Sequence, residues 1–133
     1  MRDGYSAVIR ESSKQLSPKE KLFALQYASA RKLDEVVQGS EPFVIDNPEF
    51  YVVLDVHNEK AVDNIDYTII VITDNNGVKY CTGSKSFISD FTEIWIAMTD
   101  DDTGEFYEPW GVEVVKMPSK NYKGKSFLKC SVC

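Results

Sequence analysis

The last twenty positions of this 133-residue chain hold five lysines and two aromatic residues, with no carboxylate side chain among them. The core of that stretch reads Pro118-Ser119-Lys120-Asn121-Tyr122-Lys123-Gly124-Lys125-Ser126-Phe127-Leu128-Lys129. Lysine neutralises backbone phosphates, and an aromatic face offers unpaired bases a stacking surface. On an extended strand, Lys125, Phe127 and Lys129 share one face while Leu128, Cys130 and Val132 take the other. Tyr122 and Lys123 then sit at a turn, and Lys116 reaches in from the partner strand. This pattern is a candidate strip for tracking a nucleic-acid backbone. The plainer alternative is a solvated hairpin whose lysines guard an edge strand against aggregation. A second, weaker group is Lys79-Tyr80 with Lys85 and Phe87, which Tyr51 would join. There, Tyr80 reads better as a core or half-buried residue than as a stacking platform, and Phe87 better as the first core residue of the following helix.

The other chemical candidates carry less. Asp100-Asp101-Asp102-Thr103-Gly104-Glu105 resembles a calcium loop superficially, but Gly111 stands where the twelfth-position glutamate belongs. It reads as a solvated acidic loop. Cys130-Ser131-Val132-Cys133 has C-x-x-C spacing, yet on a strand residues three apart point to opposite faces, so the thiols do not converge. A zinc site would need two more ligands, with Cys81 and His57 the available candidates; no metal or other cofactor is expected. His57 is the single histidine, placed at a strand end beside Asn58 and Glu59. No G-x-S-x-G, Walker loop, H-E-x-x-H or Cys-His signature occurs, so the chain reads as non-catalytic.

Charge is segregated along the chain. Met1 to Lys32 carries seven basic and three acidic residues, a net of +4. Leu33 to Glu113 carries three basic and eighteen acidic residues, a net of −15. Val114 to Cys133 is +5, so an overall −6 hides two basic ends. Because salt screens exposed charges over distances of about 8 Å, the local field of such a patch matters more than the total. The hydrophobic share of 43% and aromatic share of 12% are those of an ordered domain. No apolar run reaches membrane-span length. An odd cysteine count and an N-terminus without an apolar leader core predict a reducing, cytoplasmic setting, which is the host-cell cytoplasm if the chain is phage-encoded.

The elements that must position these residues follow from local pattern. Residues 1–16 form an N-terminal segment. Ser17-Pro18-Lys19-Glu20 is a capping box with proline at the first helical position, and the run through Leu22, Leu25, Leu33 and Val36 predicts an amphipathic helix over 17–38. Residues 43–133 form the core of what reads as one domain. Phe50 to His57 alternates with period 2, with Phe50, Val52, Leu54 and Val56 on one face and Tyr51, Val53, Asp55 and His57 on the other. Asp66 to Thr73 is a second strand, Asp74-Asn75-Asn76-Gly77 a hairpin turn, and Val78 to Thr82 the return strand. Ser84 or Ser86 caps a second helix with Phe87, Phe91, Ile94, Trp95 and Met98 on one stripe. Val112 to Met117 and Lys125 to Val132 complete the set. Strand, strand, strand, helix, strand, strand, with an added N-terminal helix, is a mainly β (α+β) reading. Its layout is OB-like: a five-stranded antiparallel barrel with a helix between strands 3 and 4. An α+β sheet of other topology is the alternative.

Three stretches carry a family resemblance: Tyr67 to Tyr80, the helix Phe87 to Met98, and the S-K-x-x-K-G-K-x-F run from Ser119 to Phe127. Together with the element order, they resemble small bacteriophage single-stranded DNA-binding replication proteins of the protein-primed phage type. The resemblance spans about Phe50 to Val132 and leaves the N-terminal helix outside it. It implies an OB-fold that coats single-stranded DNA without catalysis. On matching positions it implies DNA contacts at Lys79, Tyr80, Lys120, Tyr122, Lys123, Lys125 and Phe127, to which the strand pattern adds Lys116 and Lys129. The chain departs from the pattern by ending in Ser-Val-Cys rather than an acidic tail. Contacts to replication proteins or to a host protein would then fall to the acidic loop or the N-terminal region. Two other classes compete: an acidic protein-binding module or inhibitor that mimics DNA, and an assembly subunit docking through Leu22 and Leu25. Membrane partners are not expected, and oligomeric state is left open.

Overall fold

The computed structural model describes residues 5–37, 41–60, 65–118 and 126–133. Among these, the strands are β1 (Tyr5–Ser12), β2 (Arg31–Lys32), β3 (Phe43–Asp46), β4 (Pro48–Asn58), β5 (Asp66–Asp74), β6 (Lys79–Thr82), β7 (Gly111–Pro118) and β8 (Ser126–Val132). The helices are α1 (Pro18–Leu25), α2 (Leu33–Val36) and α3 (Lys85–Met98), with a 3-10 turn at Tyr27–Ser29. The strands form two sheets, ordered β1-β4-β5-β6-β2 and β3-β7-β8. They do not close into a barrel, so the fold is mainly β of α+β type.

β4 and β5 form the spine of the larger sheet, and their composition explains why. Both are rich in Val, Ile and aromatic residues, which favour a pleated, half-buried surface, and both are covered on two sides. Tyr51, Val53, Ile70, Ile72 and Tyr80 face a core shared with Phe87, Phe91 and Trp95 of α3 and with Ile45, Val112, Val114, Leu128 and Cys130 of the smaller sheet. Phe50, Val52, Leu54, Val56, Ile69, Val71 and Cys81 face a second core with Leu16, Ala24 and Ala30. Burial on both faces is why Ile69-Ile70-Val71-Ile72 is uniformly apolar instead of alternating. The β5–β6 turn is organised by Asp74, whose carboxylate accepts from the backbone N–H of Asn76 and of Val78, each at 2.9 Å. Gly77 supplies the positive φ of +80°.

The N-terminal region differs from the sequence expectation. A single helix over 17–38 is replaced by α1, the 3-10 turn, β2 and α2. The capping box at Ser17 and Glu20 is present, so the helix starts as expected. It stops early because the Lys79 ammonium takes the carbonyls of Phe23 and Gln26 at 2.8 and 2.9 Å. The chain then turns to pair β2 in parallel with β6, Arg31 opposite Tyr80 and Lys32 opposite Cys81. This buries Ala30, Leu33 and Val37, a gain that outweighs the few tenths of a kcal/mol per residue of helix propensity. Leu22 and Leu25, on the apolar stripe of the expected helix, are exposed. The N-terminal segment 1–16, given no element by the sequence reading, contains β1, paired antiparallel with β4. β3, against β7, was likewise not anticipated.

Candidate nucleic-acid interface

The β7–β8 hairpin is the part of the candidate strip that the structure describes. Its register sets Met117 opposite Phe127, Lys116 opposite Leu128, Val115 opposite Lys129 and Glu113 opposite Ser131. Strand alternation does the sorting. Val112, Val114, Leu128 and Cys130 point into the core, so Val115, Met117, Phe127 and Lys129 are on the outer face. There Phe127 is 39% exposed and Met117 41% exposed, a directly opposed pair of large apolar side chains open to solvent. Lys129 is exposed beside them. Lys116 lies on the other side of the hairpin, where its ammonium donates to the Asp34 backbone carbonyl at 2.9 Å. Next to Phe127 a shallow depression runs past Ser126 to Gly83, Ser84, Lys85 and Ser86. Ser84 caps α3, accepting from the Phe87 N–H, and the Ser86 hydroxyl donates to the Leu128 carbonyl at 2.9 Å. These bonds lock α3 against β8 and hold Lys85 near the exposed face. Lys120, Tyr122, Lys123 and Lys125 lie outside the described residues.

The second expected patch does not form a surface. Lys79 is only 7% exposed; besides its two carbonyl partners, its ammonium sits 4.0 Å from the centre of the Phe23 ring. Burial holds its pKa below the usual lysine value. Tyr80 is buried, with its ring edge-on to Phe43 at 5.8 Å and the Arg31 guanidinium over it. Tyr51 is buried between Phe91 and Trp95, and Phe87 is fully buried. Both faces of the larger sheet are covered at β6, so Lys79, a DNA contact by resemblance, is buried, and Tyr80 takes the core place that its pattern favoured over the stacking role. Lys79 instead ties β6 to the end of α1. Lys79→Met, which keeps the volume but removes the charged donor from the Phe23 carbonyl and from the Gln26 carbonyl (the latter still accepts from the Ser29 hydroxyl), is expected to lower the unfolding free energy by about 1–3 kcal/mol. Urea denaturation measures this, and oligonucleotide affinity should stay unchanged where both proteins are folded.

The remaining candidates take defined places. His57 lies between two carboxylates, with Nδ1 2.6 Å from Asp66 Oδ1 and Nε2 3.4 Å from Glu59 Oε1. With both nitrogens facing acceptors, the doubly protonated ring is favoured, leaving no lone pair for a general base. The hydrogen bonds to Asp66 and then Glu59 raise its pKa above the ordinary 6.5. The sign follows from linkage: a raised folded-state pKa contributes stability that is complete below the unfolded value and lost as pH rises through the folded one. The melting temperature of the wild type is therefore expected to fall relative to His57→Gln as pH rises above about 6.5; parallel curves would contradict the arrangement. Cys130 is buried and its thiol pushed up to about 12 by burial, whereas Cys133 is exposed. Among the described residues, no three His, Cys, Asp or Glu side chains converge to hold a metal. Asp100 organises its acidic loop by accepting from the Asp102 and Thr103 N–H groups. Among the same residues, no helix is long and apolar enough to cross a membrane.

Two contributors to the exposed face were missed by the sequence reading: Met117 and Val115, which share it with Phe127 and Lys129. The register signal was present, since Met117 falls on the opposite face of β7 from Val112 and Val114. No protein-family model, curated protein or solved structure matches this chain.

Proposed function

We propose that this chain is a non-catalytic single-stranded DNA-binding protein that coats DNA during phage genome replication, using the outer face of the β7–β8 hairpin. The observation that carries this reading is the exposed, directly opposed pair Phe127–Met117 with Lys129 beside it. Solvent-facing sheet positions normally hold polar side chains, because exposing a large apolar group forfeits its burial free energy. A phenylalanine held rigidly on a sheet and flanked by lysine provides what a base and its phosphate need, a flat apolar surface next to a cation. The adjoining 119–125 run adds Lys120, Tyr122, Lys123 and Lys125 to the same end of the hairpin in sequence. The element order β4-β5-β6-α3-β7-β8 supports an OB-like reading of this core, although its sheets are open. The acidic segment, net −15 from Leu33 to Glu113, would keep DNA off the rest of the surface and confine it to the basic end.

The test is fluorescence anisotropy of a labelled oligo-dT titrated with wild type and with Phe127→Ala/Lys129→Glu at two salt concentrations. Binding that weakens with salt and collapses in the double variant supports the reading. No binding by the wild type at low salt overturns it and moves attention to the acidic segment as a protein-binding surface that mimics DNA.

A further inference from the structure

We propose that this chain forms a two-fold dimer by pairing β1 antiparallel with β1 of a second copy, joining the two five-stranded sheets into one. Among the described residues, β1 is terminal in its sheet and paired only with β4. The backbone N–H and C=O groups along its other side, over eight residues without a proline, therefore face outward. The opposite edge of the sheet is the two-residue β2, too short to recruit a strand. Apolar side chains flank the β1 edge on both faces. Val8 is 63% exposed on one side. On the other, an open groove between β1 and α1 is lined by Ala7, Ile9, Leu16 and Leu25 together with the polar Ser12, Gln15 and Lys21, and Leu22 is 56% exposed on the same helix.

The strand's own sequence selects a second copy as the occupant. A two-fold axis through Val8 sets Val8 against its counterpart, Ala7 against Ile9, and Ser6 against Arg10. Apolar residues then meet apolar residues, and no like charges face each other. Arg10, at the bulge between Ile9 and Glu11, stands opposite Ser6, whose neighbour on β4 is His57 with its Asp66 and Glu59 carboxylates. Each guanidinium, which lies 3.8 Å from Asp55 Oδ1 of its own chain, then stands among carboxylates of both copies and away from its counterpart. Centring the axis on Arg10 would oppose two guanidiniums, and centring it on Ile9 would set Val8 against Arg10. This interface lies on the larger sheet and is independent of the nucleic-acid reading.

The test is light-scattering mass determination on the full chain at concentrations up to about 0.1 mM, with cross-linking in a Cys133→Ser background, where the remaining cysteines, Cys81 and Cys130, are buried. The expected wild-type mass is twice 15.1 kDa. Val8→Lys, at an exposed position and with unchanged circular dichroism, should run as the monomer. Val8→Cys, self-paired on the axis, should oxidise to a covalent dimer, because directly opposed residues fall within disulfide reach. Ser6→Cys, off the axis, should not. A wild-type monomer throughout, a dimer that survives Val8→Lys, or Ser6→Cys cross-linking as readily as Val8→Cys would each overturn the proposal.

Discussion

Phe127→Ala is expected to weaken oligo-dT binding by roughly tenfold to a hundredfold, because base–aromatic stacking contributes about 1–3 kcal/mol per base and about 1.4 kcal/mol is a factor of ten. Stability should change little. Phe127 is 39% exposed, and the β7–β8 ladder that positions it is made of backbone bonds that alanine leaves intact. Lys129→Glu acts by a different term. Removing one phosphate contact should reduce the slope of log affinity against log salt by about 0.7 for a single strand, while the stacking contribution stays. The two variants are therefore separable: alanine lowers affinity with the salt slope unchanged, and glutamate lowers affinity with a shallower slope. Met117→Ala, on the same face without a π-surface, should fall between wild type and Phe127→Ala. An affinity for Phe127→Ala within twofold of wild type would remove the hairpin face from the site.

Phe91→Ala is expected to lower the unfolding free energy by about 3–5 kcal/mol, measured by denaturant titration. Phe91 is fully buried at the centre of an aromatic cluster. Its ring lies 5.7 Å from Phe87, 5.9 Å from Tyr51, and 6.0 Å from both Trp95 and Trp110. Those neighbours come from α3, from β4 and from the segment just before β7, so truncation opens a cavity where the two sheets and the helix meet. Rigid rings cannot rotate to fill it, and the cost should lie toward the upper end of that range. For a domain whose whole stability is typically about 5–15 kcal/mol, this is a large share. Phe91→Leu, which keeps most of the volume, should cost far less. A loss under about 1 kcal/mol for the alanine variant would mean that this cluster does not bear the core.

Several elements were legible because their signals are local. The Ser17–Glu20 capping box starts α1 where expected, since it is satisfied within four residues. The Phe87, Phe91, Trp95 stripe is the buried face of α3, and Leu128 and Cys130 are the buried face of β8. The turn after Asp74 is legible for the same reason: its bonds run between Asp74 and residues at most four positions away. β1 was missed although Tyr5, Ala7 and Ile9 alternate correctly, because that alternation is short, includes a small residue, and is broken by a bulge at Arg10.

The sequence by itself determined where α1, α3 and the turn after Asp74 begin, which positions of β4 and β8 alternate, and that lysines gather at the C-terminal end, since each depends on groups only a few residues apart. Tertiary structure decided what lies against what. It ended α1 at Gln26 because an ammonium 53 positions later takes that residue's carbonyl. It buried Lys79 and Tyr80 because the larger sheet is covered on both faces, and left Met117 and Phe127 exposed because no described residue covers them on the smaller one. Burial is set by the partner surface, and no window of sequence contains its own partner.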